Sequence, residues 1–274
     1  MALKTVSEKG LVLLGCGKMG SAMLQGWLSD GLPLTSVFVL DPFPSQWLQD
    51  LEIQGLHLNK SLPKSPAVCI IAVKPQMMGE ALPSLKEIAQ SDAVFLSIAA
   101  GTSIKSFQTV LGDTCKIVRA MPNTPAAIGQ GITALIGNAN TTFVDVERCE
   151  RLLQAVGDTV ILQREEQMDA VTAVSGSGPA YVFHLIETLA AAGVAQGLPS
   201  DLAMTLAKKT VSGSGALAMQ SDESPEQLRI NVTSPGGTTQ AALQVLMDPK
   251  TGMPKILLEG VEAAANRSKE LGKS

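Results

Sequence analysis

The chain has 274 residues, of which 45% are hydrophobic, so it can form one large domain or two modest ones around a substantial core. Its formal net charge is −4 and its lysines and arginines form no cluster, which excludes the basic surface expected of proteins that bind nucleic acid or anionic membranes. The expected partners are therefore small molecules and other protein surfaces.

The first predicted strand, Leu11–Leu14, is followed by the spacing G-x-G-x-x-G and then by a helix-period pattern. Gly15 permits a sharp turn, Gly17 lets the backbone approach a pyrophosphate, and Gly20 lets the helix lie close to the strand. The helix N-terminus then presents free N–H groups to the phosphates. This pattern predicts a dinucleotide site made by Gly15, Cys16, Gly17, Lys18, Met19 and Gly20.

The second predicted strand, Ser36–Leu40, ends at Asp41, about 20 residues after Gly20, where dinucleotide-binding folds carry the acid that binds the ribose. A carboxylate at this position can bind both ribose hydroxyls of NADH but repels the 2′-phosphate of NADPH. The first arginine of the chain is Arg119, so no arginine follows this strand. We therefore expect NADH to be used at least as well as NADPH.

The remainder of the first half alternates apolar runs with helical patterns, which predicts a doubly wound Rossmann-type sheet, parallel and covered by helices on both faces. The further strands are expected at 67–73, 93–98, 116–120, 131–136 and 158–162, and the helices at 46–51, 77–89, 103–111 and 143–156. Two prolines predict a rigid, extended turn at 121–125 rather than a helix. Ligands of such sheets bind beyond the carboxyl ends of the strands, which here include Val73, Lys74 and Pro75.

Strand signals disappear from Glu165 onward, so we predict a Rossmann domain at 1–164 and an all-helical domain at 165–274. Its expected helices are 168–194, interrupted at 175–179, then 200–220, 225–230, 241–247 and 255–271. Each glycine inside a helix costs about 1 kcal/mol relative to alanine, so the glycines at 175–179 and 212–215 need a reason. Close packing and a ligand passing over the backbone are the two alternatives, and packing is favoured for 212–215.

The loop Asn231–Gln240 places two glycines between hydroxyl residues, directly before the pattern of a helix. Such an array of N–H groups and hydroxyls can bind a carboxylate without an arginine. A helix N-cap without a ligand is the alternative.

The remaining reactive side chains point to no further chemistry. The cysteines, Cys16, Cys69, Cys115 and Cys149, are too widely spaced for a zinc site or a redox dithiol, so we expect no metal. They are typical of buried thiols in the cytoplasm, and the first apolar run is too short for a signal peptide or a membrane span. We expect Cys16 to be a small residue that only fills space in the turn. The alternative is a thiol whose pKa is lowered by the helix N-terminus. We expect His57 to be a surface or half-buried histidine, His184 to be a satisfied interior or interface histidine, and Tyr181 to be a packing residue.

Five strings in order make the chain, from Leu11 to about Leu271, resemble the pyrroline-5-carboxylate reductases, which catalyse the last step of proline synthesis. They are Ala72-Val73-Lys74-Pro75-Gln76, Ala99-Ala100-Gly101, Met121-Pro122-Asn123-Thr124-Pro125, Ser175-Gly176-Ser177-Gly178-Pro179-Ala180-Tyr181 and Val232 to Thr239. The last string resembles the signature of the family. The resemblance implies a Rossmann domain followed by a helical domain that interlocks with a second subunit, in a homodimer or a ring of dimers.

The same resemblance implies where the ligands bind. Nicotinamide is expected near Ala72, Val73, Lys74 and Pro75, with Ala100, Asn123 and Thr124 close by, and adenosine near Asn59. The carboxylate of pyrroline-5-carboxylate is expected on Ser234, Gly237, Thr238 and Thr239, with Ser177 at the substrate site. Thr239 matches the position whose hydroxyl lies close to the ring nitrogen. Asp41 departs from family members that carry serine, asparagine or arginine there, which makes the choice between NADH and NADPH an open question.

The scarcity of acid–base residues agrees with this chemistry. Reduction of a cyclic imine delivers a hydride to a C=N bond that protonation already makes electrophilic, so the enzyme can work mainly by positioning two reactants. A beta-hydroxyacid dehydrogenase is one alternative, but it would need a catalytic lysine in the long helix, and 168–197 contains none. A dinucleotide sensor that has lost its chemistry is the other alternative, and it predicts a decayed substrate loop.

Overall fold

The computed structural model of the chain describes residues 2–272. It contains two compact units: the first runs to Gly176 and includes the segment from Ala265 onward, and the second is Ser177–Ala264. No helix in the described part of the chain is both long and apolar enough to cross a membrane.

Within the described residues, eight strands form one sheet in the first unit, in the order β3-β2-β1-β4-β5-β6-β7-β8. The strands are β1 (Leu11–Leu14), β2 (Val37–Leu40), β3 (His57–Leu58), β4 (Val68–Ile71), β5 (Val94–Ser97), β6 (Lys116–Met121), β7 (Gly131–Gly137) and β8 (Gly157–Ile161). The two-winged order around β1 confirms the predicted Rossmann architecture.

The last two strands contradict the prediction of a parallel sheet, because β7 pairs with β6 in the antiparallel direction and β8 pairs with β7 in the parallel direction, so both run opposite to the other strands. The connection between β6 and β7 is only a 3₁₀-helix, Thr124–Ile128, and a turn at Gly129 with φ 69°. A parallel connection needs a crossover of a dozen or more residues, and this connection is shorter. The predicted extended turn is also wrong at its end, because Pro125 lies in the first turn of that 3₁₀-helix.

The helices of the first unit are α1 (Ala2–Lys9), α2 (Lys18–Ser29), α3 (Gln46–Ile53), α4 (Met78–Ala81), α5 (Ile104–Leu111), α6 (Phe143–Leu153) and α7 (Met168–Val171). The predicted helix at 77–89 is wrong, since α4 is followed only by 3₁₀ turns at Leu82–Leu85 and Ile88–Gln90. Pro83 explains the break, because proline lacks the N–H that a continuous helix would use.

The core consists of two clusters of buried side chains, and β1 contributes alternate residues to both, Leu11 and Leu13 to one and Val12 and Leu14 to the other. Trp27 of α2 is fully buried, and its indole N–H donates to the carbonyl oxygen of Leu152 at 2.8 Å. This packing fixes β1 and α2, and with them the glycine turn that joins the two elements.

The predicted long helix at 168–194 begins differently in the structure. After α7 the chain forms a π-helical turn, Thr172–Gly176, before α8 (Gly178–Ala195) begins with Pro179 in its first turn. Proline favours the first turn of a helix, so it starts a new helix here instead of continuing the old one. The helices that follow are α9 (Ser200–Gln220), α10 (Pro225–Asn231), α11 (Thr238–Leu246) and α12 (Met253–Leu271).

The glycines of the helical unit differ in their surroundings. A Cβ atom at Gly193 of α8 would lie 3.3 Å from the Cβ of Ala203, so close packing with α9 explains this glycine. A Cβ at Gly213 or Gly215 would meet nothing within 4 Å in the described chain. Packing within this chain therefore does not explain those two glycines, and the helix packing that we favoured for 212–215 would have to be against a second copy.

The second unit exposes many large apolar side chains. Phe183 of α8 is 58% exposed, Leu217 of α9 is 55% exposed and Leu258 of α12 is 68% exposed. Monomeric proteins rarely expose contiguous apolar surface on this scale, and such surface is typical of protein–protein interfaces.

A buried ion pair joins three segments of the first unit. The Arg119 guanidinium on β6 donates through Nη1 to Glu165 Oε1 at 2.8 Å, and the N–H of Ile104 donates to the same oxygen at 2.9 Å. The Arg119 side chain is 8% exposed. Glu165 thus binds the end of β6 and the N-terminus of α5 to the segment that leads into α7.

We expect Arg119→Met to destabilise the protein, because it leaves the Glu165 carboxylate without its cation. The expected loss in the free energy of unfolding is about 2–3 kcal/mol, less than for a fully buried pair because Glu165 is partly solvated. Urea unfolding measures this loss. Arg267→Met is the matched control, since that side chain is 66% exposed in its pair with Glu270. Equal losses in the two variants would contradict a special role for Arg119.

Candidate functional site

The glycine turn after β1 has the geometry of a phosphate-binding loop. Gly15 has φ 88°, and a Cβ there would lie 2.8 Å from Val73 Cγ1. A Cβ at Gly20 would lie 2.6 Å from the carbonyl oxygen of Gly15, so neither position accepts a side chain. A Cβ at Gly17 would meet nothing within 4 Å, which leaves open space over the backbone. The first N–H groups of α2 have no intrahelical partner and face outward from this turn.

Asp41 lies beside this turn and is bound to it. Its Oδ2 accepts the N–H of Cys16 at 2.8 Å, and its Oδ1 accepts the N–H of Phe43 at 2.8 Å. The carboxylate at the end of β2 is therefore held in one orientation next to the glycine turn. Each carboxylate oxygen has a further lone pair with which it can accept a ligand hydroxyl.

The Asn59 side chain makes two hydrogen bonds to the backbone of Asp41. Its Oδ1 accepts the N–H of Asp41 at 2.9 Å, and its Nδ2 donates to the Asp41 carbonyl oxygen at 2.8 Å. Asn59 itself has φ 49°, a left-handed conformation that asparagine tolerates. Asn59 therefore lies next to Asp41, and its place near adenosine stays a prediction.

Cys16 is buried, with 9% of the residue exposed. Burial, followed by the nearby negative charge of Asp41, raises the pKa of Cys16 to about 12. The alternative of a lowered pKa at the helix N-terminus is therefore wrong, because burial and the Asp41 charge both oppose formation of a thiolate. Cys16 contributes its backbone N–H and its small size to the turn.

The sheet order brings the other predicted cofactor residues to one edge. The strands β1, β4, β5 and β6 are consecutive neighbours and mutually parallel, so their carboxyl ends lie side by side. The residues that follow β4, β5 and β6 there are Ala72, Val73, Lys74 and Pro75, then Ala100, then Asn123 and Thr124. The glycine turn and these three loops therefore form a continuous rim at the carboxyl edge, where dinucleotides bind in folds of this type.

Asn123 connects this rim to the π-helical turn. Its Oδ1 accepts the N–H of Ile132 at 3.0 Å, and its Nδ2 donates to Ser175 Oγ at 3.3 Å. The Met121 side chain packs against Gly176, since a Cβ atom there would displace its terminal methyl group, so the π turn lies directly against the end of β6. Ser175 is a contact that our sequence reasoning missed. The serine- and glycine-rich string at 175–179 was the signal in the sequence that could have indicated this contact. The string includes the end of a π turn, and π turns are frequent at functional sites.

A second contact missed from the sequence lies at the far end of α12. Ser268 Oγ donates to Asp169 Oδ1 at 2.6 Å, and a Cβ at Gly101 would lie 3.0 Å from Leu271 Cβ. The last turns of α12 therefore support the loop after β5, which carries Ala100.

The loop between α10 and α11 leads directly into the N-terminus of α11. Gly236 adopts φ 70°, the N–H of Gly237 donates to the Ser234 carbonyl oxygen at 3.0 Å, and α11 begins at Thr238. The N-cap is Gly237, which has no side chain that could satisfy the first N–H groups of α11. Those groups are open to an anion.

Three hydroxyls surround these N–H groups. The side chains of Ser234, Thr238 and Thr239 make no hydrogen bond within residues 2–272, and Thr239 is half-buried. No hydroxyl caps α11, whose N-cap is Gly237, and a helix N-cap without a ligand stays the alternative. Ser177 occupies the N-cap of α8, where its carbonyl oxygen accepts the N–H of Ala180 at 3.0 Å.

Comparison with known families matches both parts of the chain. The family model described as pyrroline-5-carboxylate reductase dimerisation matches residues 165–271. The model described as NADP oxidoreductase, coenzyme F420-dependent, matches residues 10–101, which contain the glycine turn and Asp41.

Similar proteins cover nearly the whole chain. A pyrroline-5-carboxylate reductase of Pseudomonas aeruginosa is 35% identical over 269 residues, covering 97% of this chain and 98% of that protein. The structure of a pyrroline-5-carboxylate reductase from Coxiella burnetii superposes with a TM-score of 0.89 at 31% identity, covering 97% of this chain and 99% of the other. The crystal structure of Plasmodium falciparum pyrroline carboxylate reductase with NADP bound superposes with a TM-score of 0.84 at 31% identity, over 97% and 99% of the two chains.

Proposed function

The chain belongs to the pyrroline-5-carboxylate reductase family, and from this premise we propose which of its residues carry out the reaction. The reaction is the reduction of the cyclic imine L-1-pyrroline-5-carboxylate to L-proline with a nicotinamide cofactor. The observation that carries the assignment to residues is the open N-terminus of α11, where three uncommitted hydroxyls surround unpaired N–H groups.

The first unit binds the cofactor. The open space over Gly17 and the outward N–H groups of α2 fit a pyrophosphate, and Asp41 fits the adenosine ribose. The nicotinamide lies on the rim formed by Ala72–Pro75, Ala100 and Asn123–Thr124. When bound, the reduced cofactor supplies a hydride to the imine carbon. The small side chains of this rim allow a flat ring to approach the backbone.

The loop of the second unit binds the substrate carboxylate. The N–H groups at the start of α11 and the hydroxyls of Ser234 and Thr238 donate to it, so no arginine is needed. Gly237 brings the backbone close, since a side chain there would lie against Ser234. Ser177, at the start of α8, is proposed as a further substrate contact.

Thr239 acts at the ring nitrogen. A protonated imine accepts the hydride directly and becomes the neutral secondary amine, so this step needs no acid. When the imine is neutral, the nitrogen gains a lone pair during reduction, and the Thr239 hydroxyl donates or relays the proton that it then takes up. The protein contributes mainly by orienting the two reactants.

We further propose that NADH is used at least as well as NADPH. A carboxylate 4 Å from the 2′-phosphate of NADPH costs about 1–4 kcal/mol, depending on screening. The proposal distinguishes this chain from the Plasmodium relative that was solved with NADP, and it rests on Asp41, which is fixed beside the glycine turn.

The family match at residues 165–271 is to a dimerisation domain and supports a homo-oligomer, and we propose a dimer as its unit, with a ring of dimers as the larger assembly. The exposed apolar residues of α8, α9 and α12 support a second copy packing on this domain. We propose 164/165 as the start of the dimerisation domain, since the last strand ends at Ile161 and the family match begins at residue 165, although the compact units divide later, after Gly176. Light scattering of the purified protein tests the assembly, and a monomer at micromolar concentration would contradict it.

The activity is tested by mixing the purified protein with pyrroline-5-carboxylate and either cofactor, and by quantifying proline with mass spectrometry. We expect proline to form in step with loss of absorbance of the reduced nicotinamide. Cofactor binding without any proline would favour the sensor that has lost its chemistry.

A further inference from the structure

The substrate loop is held by a side chain that is not expected to contact the substrate. The Oε1 atom of Gln240 accepts the N–H of Gly236 at 2.6 Å. Gly236 is the loop residue with φ 70°, and Gln240 is exposed. The hydrogen bond therefore spans the turn that brings the loop to the start of α11.

The position of Gln240 explains why it can make this bond. It is the third residue of α11, the position from which glutamine or glutamate reaches back to the N-cap N–H in a capping box. The N-cap here is Gly237, which cannot supply the reciprocal half. The Gln240 side chain reaches one residue further back and accepts the N–H of Gly236. Because this side chain is an amide, it adds no charge to the loop.

Loss of the hydrogen bond between Gly236 and Gln240 would allow the backbone of the turn to change conformation. Glycine populates many backbone conformations, and two adjacent glycines give this loop a large entropy cost on ordering. Loss of the Gln240 acceptor would let Gly236 leave its left-handed conformation, and the N–H groups of Thr238 and Thr239 would then lose their common direction. A substrate carboxylate would have to restore that order on binding.

We propose that Gln240 is a positioning residue that preorganises the substrate loop, and that its neutral amide is required because a carboxylate there would repel the substrate. The inference rests on the proposed substrate site. A glutamate would accept the Gly236 N–H more strongly and would suit the positive end of the α11 dipole. Glutamate at position 240 should therefore stabilise the loop more than glutamine does, and yet it should weaken binding of an anionic substrate.

The test compares Gln240→Met, which removes the acceptor, with Gln240→Glu, which keeps it and adds a charge. Gln240→Met should raise KM for pyrroline-5-carboxylate about tenfold, with KM for the cofactor unchanged and kcat nearly unchanged. Gln240→Glu should raise the imine KM by about tenfold or more at low salt, and added salt should lower it toward the wild-type value. Gln244→Met is the matched control, one turn along α11, where the side chain is exposed and makes no hydrogen bond within the described chain.

Hydrogen exchange gives a readout that does not depend on turnover. The loop 233–240 should exchange faster in Gln240→Met than in the wild type, whereas Gln240→Glu and Gln244→Met should keep the wild-type rate. Unchanged exchange and unchanged KM in Gln240→Met would overturn the inference, as would equal effects of Gln240→Met and Gln244→Met. Failure of the wild type to reduce the imine would instead overturn the proposed function.

Discussion

Thr239→Val lowers kcat for imine reduction about 10- to 100-fold, which is below the usual range for loss of a general acid because a protonated imine needs no donor. Valine has nearly the shape of threonine, so the loop and the affinity for the cofactor should be unchanged. The loss should grow as pH rises, since the neutral imine then predominates and depends on the Thr239 hydroxyl. Steady-state rates measured across pH with saturating cofactor test this expectation.

Thr109→Val is the matched control for Thr239. Thr109 lies on α5 in the first unit, is exposed, and uses its hydroxyl on the Lys105 carbonyl oxygen at 3.0 Å. It should retain wild-type kcat at every pH. A Thr239→Val enzyme with wild-type kcat, or a loss of equal size at low and high pH, would remove Thr239 from the proton step.

Asp41→Ser should move the cofactor preference toward NADPH. Removal of the carboxylate abolishes a repulsion of about 1–4 kcal/mol at 4 Å, so the ratio of kcat/KM for NADPH to that for NADH should rise between about 5-fold and 1000-fold. The change should be largest at low ionic strength, where charges on the surface are least screened. Parallel initial rates with the two cofactors give the ratio.

Asp41 also accepts the N–H groups of Cys16 and Phe43, so its replacement could loosen the glycine turn. Asp41→Asn separates the two effects, because the amide retains one acceptor and removes the charge. It should shift the ratio in the same direction as Asp41→Ser and with a smaller loss of affinity for both cofactors. Asp50→Ser, at an exposed position of α3, is the control and should leave the ratio unchanged. A ratio that does not move in Asp41→Asn would show that the charge does not select the cofactor.

The fold could be predicted wherever a local pattern determines the local structure. The apolar run of β1 and the spacing of Gly15, Gly17 and Gly20 are local, and the structure contains the strand, turn and helix that they predict. The direction of β7 was missed, although the strands predicted at 116–120 and 131–136 leave a connection that is too short for a parallel crossover. The π turn at 172–176 packs against Met121, which is distant in sequence, so no local pattern indicates this contact.

The sequence predicts which loops form the rim of the site, but it does not predict the hydrogen bonds between their residues. Loops that follow parallel strands must meet at one edge, so the rim around Lys74, Ala100 and Asn123 follows from strand order alone. The hydrogen bonds from Asn59 to Asp41 and from Asn123 to Ser175 join residues far apart in sequence, and no periodicity encodes such pairs. The burial that raises the pKa of Cys16 is likewise a property of the folded chain.

The most direct test of this account is a crystal structure of the oligomer with NADH and the product L-proline bound together. We expect the proline carboxylate within about 2.7–3.2 Å of the N–H groups at the start of α11. The Thr239 hydroxyl should face the ring nitrogen, and the nicotinamide should lie on the rim beside Ala72 and Asn123 at a near-attack distance of about 3–3.5 Å from the ring carbon. A carboxylate bound away from Gly237–Thr239, or an adenosine ribose without contact to Asp41, would contradict it.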